Sequence, residues 1–342
     1  MRFQFSAHHF LPIALIVFFF LQSCATYPQN EEHTKLQIAF GSCSNQERDF
    51  DLFHEVVAGK PDYFIWLGDM VYPKEYTVSS LTAAYEKQYS KPSYAQLRNS
   101  PTKIFGIYDD HDYGQNDGGK NNPIKEEARL LMMDFLDIDK ASAQGKTMLA
   151  QKGAYQRVQI PELSLGIYIL DTRWSRSDLT PSSVQGQRYQ SSTTGAILSD
   201  EQWQDFEEFT SSDSMKTLLL VSSIQLLNDS HHFEKWGNFP QEREKMIAKL
   251  ERLASRGVKI IVLSGDRHFS EISQKGGIIE VTSSGMTEVY TLANEPNPLR
   301  VSPMITEPNF AVLHIEKAKN SFQISLEYIG KGSQKLYHTE LK

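Results

Sequence analysis

Short apolar runs recur along the chain and stop abruptly at glycine or at a residue with a metal- or phosphate-binding side chain. Residues 36–40 (LQIAF), 62–67 (DYFIWL), 103–108 (KIFGIY), 163–170 (LSLGIYIL), 217–222 (TLLLVS) and 258–263 (VKIIVL) hold apolar positions nearly side by side. Runs of this length, bounded by turn residues, predict strands buried on both faces, as in parallel sheets covered by helices. Between them lie segments with helical spacing: 51–58 stopped by Gly59, 82–97 ahead of Pro101, 124–136, 199–209, and 241–256 stopped by Gly257. Ser199 with Gln202 three residues on resembles a capping box. Residues 154–159 pair with 163–170 across Pro161 and Glu162, 277–281 is a further strand, and 310–316 with 321–328 predicts a terminal antiparallel pair. Two segments are too polar for a core: 109–117 (DDHDYGQND), a loop at a strand end, and 180–194 (TPSSVQGQRYQSSTT), a long surface loop or lid. The strand-helix-strand order favours parallel pairing, and no repeat or linker divides the chain. The expected fold class is α/β (α+β): one domain with a sandwich of two mixed β-sheets flanked by α-helices.

Composition leaves that picture intact. The chain has 342 residues, 40% hydrophobic and 23% charged, with a formal net charge of -7, so it can bury a large core but offers no basic stripe for a nucleic-acid backbone. No stable nucleic-acid partner is expected, and the chain is expected to be a monomer. The amino terminus reads as a processing signal. Arg2 precedes an apolar stretch, 10–21, too short for a comfortable membrane span, and LQSC follows, which resembles the lipobox of bacterial lipoproteins. On this reading 1–23 is a signal peptide, Cys24 is the lipidated residue, 24–35 is a tether, and 36–342 is the catalytic domain, exported and anchored to a bacterial membrane. A cleaved soluble signal or a lone membrane helix is the other reading. With Cys24 lipidated, Cys43 has no disulfide partner, and its place at the end of an apolar run favours use in chemistry.

Six apolar runs end at Cys43, Asp69, Asp110, Arg173, Gln225 and Asp266. One such ending is ordinary, because Asp and Ser favour turns for their own backbone hydrogen bonds. Six at the carboxyl edges of strands, where open α/β sheets place their sites, point to a common site.

The motifs FGSC, LGDMVY, YDDHD, LDTR and SGDRH, in this order from about Ile38 to Thr287, resemble those of the alkaline phosphatase D group of the metallophosphatases. The resemblance implies a metallophosphatase-type sandwich and a metal-dependent phosphoesterase hydrolysing phosphomonoesters or phosphodiesters. Asp69 of GDMVY would bridge two metals. Cys43, Tyr72 and His268 would complete the first, and thiolate with phenolate suits Fe3+. Asp110 and Asp266 would join Asp69 at the second, an oxygen-rich set that suits Ca2+, with Mn2+ or Zn2+ as other ions to consider. Two cations sharing a carboxylate can hold a hydroxide at neutral pH and clamp an in-line displacement.

Arg173 is the first choice to bind the phosphoryl oxygens, because a guanidinium matches them bidentately, and Arg267 is the second, unless it points away as a surface arginine. His111 would protonate the leaving alkoxide. Asp109 and Asp112 would orient His111 or neighbouring ligands. Gln225 stands roughly where the superfamily often has a histidine ligand and is a further candidate for substrate binding. A non-catalytic, lipid-anchored binding or scaffold protein on the same fold is the alternative. Mono- or diester preference depends on whether 180–194 closes over the site.

Overall fold

The structure, a computed structural model, describes residues 35–318 and 321–342. The stretch read as a signal peptide, Cys24, and the tether up to residue 34 lie outside the described residues. No helix among the described residues is long and apolar enough to cross a membrane.

The first half runs β1 (Lys35–Gly41), α1 (Phe53–Gly59), β2 (Tyr63–Leu67), α2 (Val78–Tyr89), α3 (Pro92–Arg98), β3 (Lys103–Ile107), α4 (Asp110–Tyr113), α5 (Lys125–Phe135) and α6 (Ala143–Ala150). There follow β4 (Gln156–Ile160), β5 (Leu165–Ile169), α7 (Asp200–Phe209), β6 (Thr217–Ser222), α8 (Pro240–Ser255), β7 (Lys259–Ser264), β8 (Ser270–Lys275) and β9 (Ile278–Ser283). The chain ends in β10 (Asn309–Ala318), β11 (Ser321–Gly330) and β12 (Lys335–Glu340). These form two six-stranded mixed sheets, β12-β11-β10-β1-β2-β3 and β4-β5-β6-β7-β9-β8, as the sequence pattern leads one to expect. Within the first, β1, β2 and β3 are parallel; within the second, β5, β6, β7 and β9 are parallel.

The consecutive apolar positions have a direct packing cause. Along β6, Leu219 and Val221 enter the main core, while Leu218 and Leu220 enter a second core with α7 and α8. β7 divides in the same way, with Ile261 and Leu263 on one side and Ile260 and Val262 on the other. Successive side chains point to opposite faces, so a strand covered on both faces must be apolar at every position. On the first sheet, Phe64 and Trp66 pack against Phe53 of α1, and Trp66 also meets Tyr94 of α3. Each such fully buried side chain contributes roughly 1.5–3 kcal/mol.

Several elements depart from the sequence reading. The helix expected over 82–97 is two, α2 and α3, because Pro92 has no N–H to give and holds Lys91 extended (ψ 129°). The polar segment 109–117 contains one helical turn, α4, at whose start the Asp112 carboxylate accepts the Asp109 amide. At α7, Ser199 Oγ accepts the Gln202 amide as expected, but the Gln202 side chain pairs with both backbone groups of Asp171, fastening α7 to the end of β5. α6, β8 and β12 are additional.

Candidate metal centre

The residues that end β1, β2 and β7 sit in a backbone conformation that L-residues rarely adopt. Cys43, Asp69, Asp266 and His268 have φ of 61°, 49°, 69° and 57°, four of the nine non-glycine residues with positive φ among those described. Left-handed backbone costs free energy and persists where the surroundings over-determine it, commonly at functional sites. The glycine before each aspartate permits a close approach. A Cβ on Gly68 would lie 2.4 Å from Asp109 Cβ, and one on Gly265 would lie 2.6 Å from Ser42 Oγ and 2.9 Å from the Leu67 carbonyl. Gly68 lets the ends of β2 and β3 approach within the first sheet, and Gly265 lets the end of β7 in the second sheet approach the ends of β1 and β2.

Four side chains form the first group. Cys43 Sγ lies 3.6 Å from Asp69 Oδ2, and Tyr72 OH lies 2.9 Å from that same oxygen and 3.2 Å from His268 Nε2. Ligand atoms of Cys43, Asp69 and His268 all fall within 4.8 Å of one another. Ser284 joins them, its Oγ 3.1 Å from Cys43 Sγ and accepting the His268 amide at 2.7 Å.

Carboxylates dominate the second group. Asp109, Asp110 and Asp266 present oxygens within 4.8 Å of one another, and Asp69, Asp110 and His111 form an overlapping set. Asp110 Oδ1 accepts the His111 amide and Oδ2 the Asp117 amide, each at 2.7 Å. Asp112 takes the amides of Asp69, Met70 and Asp109, and so fixes the backbone that carries two candidate ligands.

So much buried negative charge needs compensation. Burial pushes the Asp69 carboxyl well above the usual range, with Asp110 and Cys43 adding to it, and burial does the same to Asp266, where Arg267 pulls the other way. Burial also raises Cys43, and it raises Tyr72 further, aided by Asp69. Asp110 goes the other way: burial opposes its charge, but His111, Arg173 and the Asp117 amide outweigh it and hold it at about 2. Asp109 Oδ2 and His268 Nδ1 are buried without a hydrogen-bond partner. Crowded acids, a thiol, a phenol and an orphaned carboxylate oxygen are what a cation would satisfy, so the residues present fit a bound metal.

The two arginines expected to clamp phosphate are each engaged by carboxylates. Arg173 has no exposed surface; its Nε and one terminal nitrogen hold Asp109 Oδ1 at 2.7 and 2.5 Å, and the other holds Glu234 Oε2 at 2.6 Å. A guanidinium saturated by two carboxylates has nothing left for a phosphoryl group, so Arg173 positions Asp109 instead. Arg176, also fully buried, sits 2.9 Å from the other Glu234 oxygen. Arg267 is likewise buried, paired with Glu295 and lying over the Phe233 ring at 4.4 Å, with Asp266 at 3.5 Å. Gln225 turns away from the candidate ligands, its amide nitrogen on Glu271 (3.1 Å) and Thr282 (2.9 Å).

Sequence reasoning did not single out Ser284, Glu234 or Asp117, whose partners are distant along the chain. Loop 180–194 does reach the centre's edge: Arg188 lies 2.8 Å from Asp117 Oδ2, and Tyr189 OH bonds to the same oxygen.

No family model matches the chain, and no curated protein is significantly similar to it. Solved structures are more informative. Over 90% of this chain and 68% of the other, the structure of PhoD superposes with a TM-score of 0.69 at 16% identity. Purple acid phosphatase PPD1 from yellow lupin (Lupinus luteus) seeds superposes with a TM-score of 0.55 at 12% identity. The match covers 90% of this chain but only 53% of the lupin protein. The fold is of the metallophosphatase type. A third neighbour in fold is GAP50, described as the anchor in the inner membrane complex of Plasmodium, with a TM-score of 0.56, 12% identity, and coverage of 90% of this chain and 89% of that one. At these identities the likeness carries the fold alone.

Proposed function

We propose that this chain is a metal-dependent phosphoesterase hydrolysing phosphomonoesters or phosphodiesters. One observation carries the reading: Cys43, Asp69, Asp266 and His268, all in left-handed backbone at strand ends of two different sheets, aim donors into one buried, acid-rich space. Cys43, Tyr72 and His268 with Asp69 would hold an Fe3+-like ion; Asp69, Asp109, Asp110 and Asp266 would hold a harder one such as Ca2+. Bound there, the ions supply positive charge for the phosphoryl oxygens and make water acidic enough to attack near neutral pH. The chain's own groups do the rest. Asp112 holds the backbone of Asp69, and Arg173 holds Asp109. His111 lies against the Tyr72 ring at 4.3 Å beside Asp69 and Asp110, where it is placed to give a proton to the leaving oxygen. Export and lipid attachment at Cys24 remain part of the proposal, supported by LQSC after the apolar stretch.

The test is metal analysis of purified protein alongside assays on a chromogenic phosphomonoester and a phosphodiester. Bound iron with hydrolysis of either ester supports the reading, and a metal-replete protein inactive on every mono- and diester sinks it. The second reading, a non-catalytic lipid-anchored scaffold, draws on GAP50, whose description is that of an anchor. It expects metal without turnover.

A further inference from the structure

Five rings form an unbroken row through the candidate centre. Tyr76 lies 6.4 Å from His111, His111 4.3 Å from Tyr72, Tyr72 6.3 Å from His268, and His268 4.6 Å from Tyr290, measured between centroids. The three inner rings belong to the centre: His111 and His268 are in its ligand sets, and Tyr72 bonds to Asp69. The two outer rings stand in solvent, Tyr76 45% and Tyr290 50% exposed. Single exposed apolar groups on a surface need no explanation. Here, however, the other large exposed hydrophobic side chains among the described residues are aliphatic, and the two aromatic ones occupy the two ends of one row. Both are held in place: each packs on a histidine ring, and the Tyr290 amide donates to the His268 carbonyl at 2.8 Å.

We infer that Tyr76 and Tyr290 are stacking surfaces for planar groups on either side of the scissile phosphorus, so that the site selects phosphodiesters carrying a planar organic group on each ester oxygen. The inference rests on the phosphoesterase reading and names its substrate class. A phosphate seated over the middle of the row directs one ester substituent toward each end. A diester with two planar groups covers both tyrosines, a monoester covers one, and an alkyl diester covers neither. Stacking of a planar group on an aromatic side chain tolerates many ring systems, because each has a π-face. The arrangement therefore sets a class of substrate and leaves the particular ring open.

The experiment is calorimetric binding to the metal-loaded protein of isosteres that cannot be hydrolysed because CH2 replaces each ester oxygen: dibenzylphosphinate standing for the aryl diester, and diethylphosphinate standing for dimethyl phosphate. The set comprises wild type, Tyr76→Ala, Tyr290→Ala, the double alanine variant, and the two phenylalanine variants, with metal content measured on each. Wild type is expected to bind dibenzylphosphinate at least about tenfold more tightly than diethylphosphinate, each alanine to weaken dibenzylphosphinate binding by roughly fivefold, and the double variant to lose the preference. The phenylalanine variants keep the ring and keep the preference, and diethylphosphinate binding stays constant throughout. Equal binding of the two phosphinates by wild type, no binding of either, or parallel weakening of both in the alanine variants overturns the inference. Because binding is read without turnover, an aryl preference that depends on both tyrosines in a protein that hydrolyses nothing would sink the phosphoesterase reading while leaving the stacking surfaces standing.

Discussion

The two halves of the candidate centre are built from different chemistry and supported differently. One half gathers a thiol, a phenol and an imidazole around Asp69, and its neighbours are neutral hydroxyls such as Ser284. The other gathers Asp109, Asp110 and Asp266, and its neighbours are buried arginines that are themselves tied to further acids, Glu234 and Glu295. The mixed half needs no fixed charge beside it, since its groups are neutral until a cation deprotonates them. The carboxylate half crowds three acids together, and Arg173 offsets charge on Asp109 while fixing its position. The difference teaches that the strand ends of the two sheets bring together two donor groups of different chemistry, with Asp69 in both a thiol-containing and a carboxylate-rich set.

Breaking the shared group has the largest expected effect. Asp69→Asn removes the bridge between the halves and is expected to lose both metals and more than about a thousandfold in turnover, beyond the hundred- to thousandfold cost of one preorganised electrostatic partner. Metal analysis with an ester assay checks it. Asp266→Ala tests the division itself: the harder ion should be lost, with about a hundredfold fall in activity, while the visible absorption from thiolate and phenolate bound to iron is retained. Loss of both signals in a folded protein would show that the halves are not separable. Arg173→Met leaves Asp109 and Glu234 without their buried partner, which costs about 3–5 kcal/mol in stability. Activity should fall about ten- to a hundredfold, as for other groups that orient ligands. The expected signature is weakened binding of the harder ion with iron unaffected, read by competitive chelation.

The smallest effect concerns the rim of the carboxylate half. His231 is buried, and burial with the nearby Arg267 and Lys235 depresses it to about 2. A depressed histidine contributes stability above its unfolded value near 6.5 and loses it as pH falls toward the folded value. Between about pH 6.5 and 4.5 this amounts to roughly 2–3 kcal/mol. Denaturation of His231→Leu across that range should therefore show a shallower loss than wild type, and identical slopes would refute the assignment.

Much of the mixed half is legible in the sequence, because its members sit immediately past strands whose two-sided burial leaves a plain apolar signature. Cys43, Asp69 and His268 are found by asking where those strands stop. The supporting shell of the other half is not legible. Arg173 reads as a phosphate ligand because its strand-end position is visible, whereas its partner Glu234 lies 61 residues onward in an irregular segment with no periodicity to mark it. β12 escaped notice for a related reason: at the sheet's edge it is half-buried and mostly polar, so nothing in KLYHTE stands out from a loop. The break between α2 and α3 was available in Pro92, but the aromatic spacing of Tyr85, Tyr89 and Tyr94 runs through it and suggests one helix.

The approach of the two sheets at Gly265 has a mechanical consequence. Cys43, Asp69, Tyr72 and Asp110 are carried by one sheet, and Asp266 and His268 by the other, so a cation held among them would act as a rivet between two plates. Chelation then removes a fastener as well as a reactant, and the seam should loosen first at this edge. Faster amide exchange at the hydrogen-bonded amides of Ser44, Gly265, His268 and Met286, with the far ends of β6 and β7 unchanged, is the pattern that such a fastening produces.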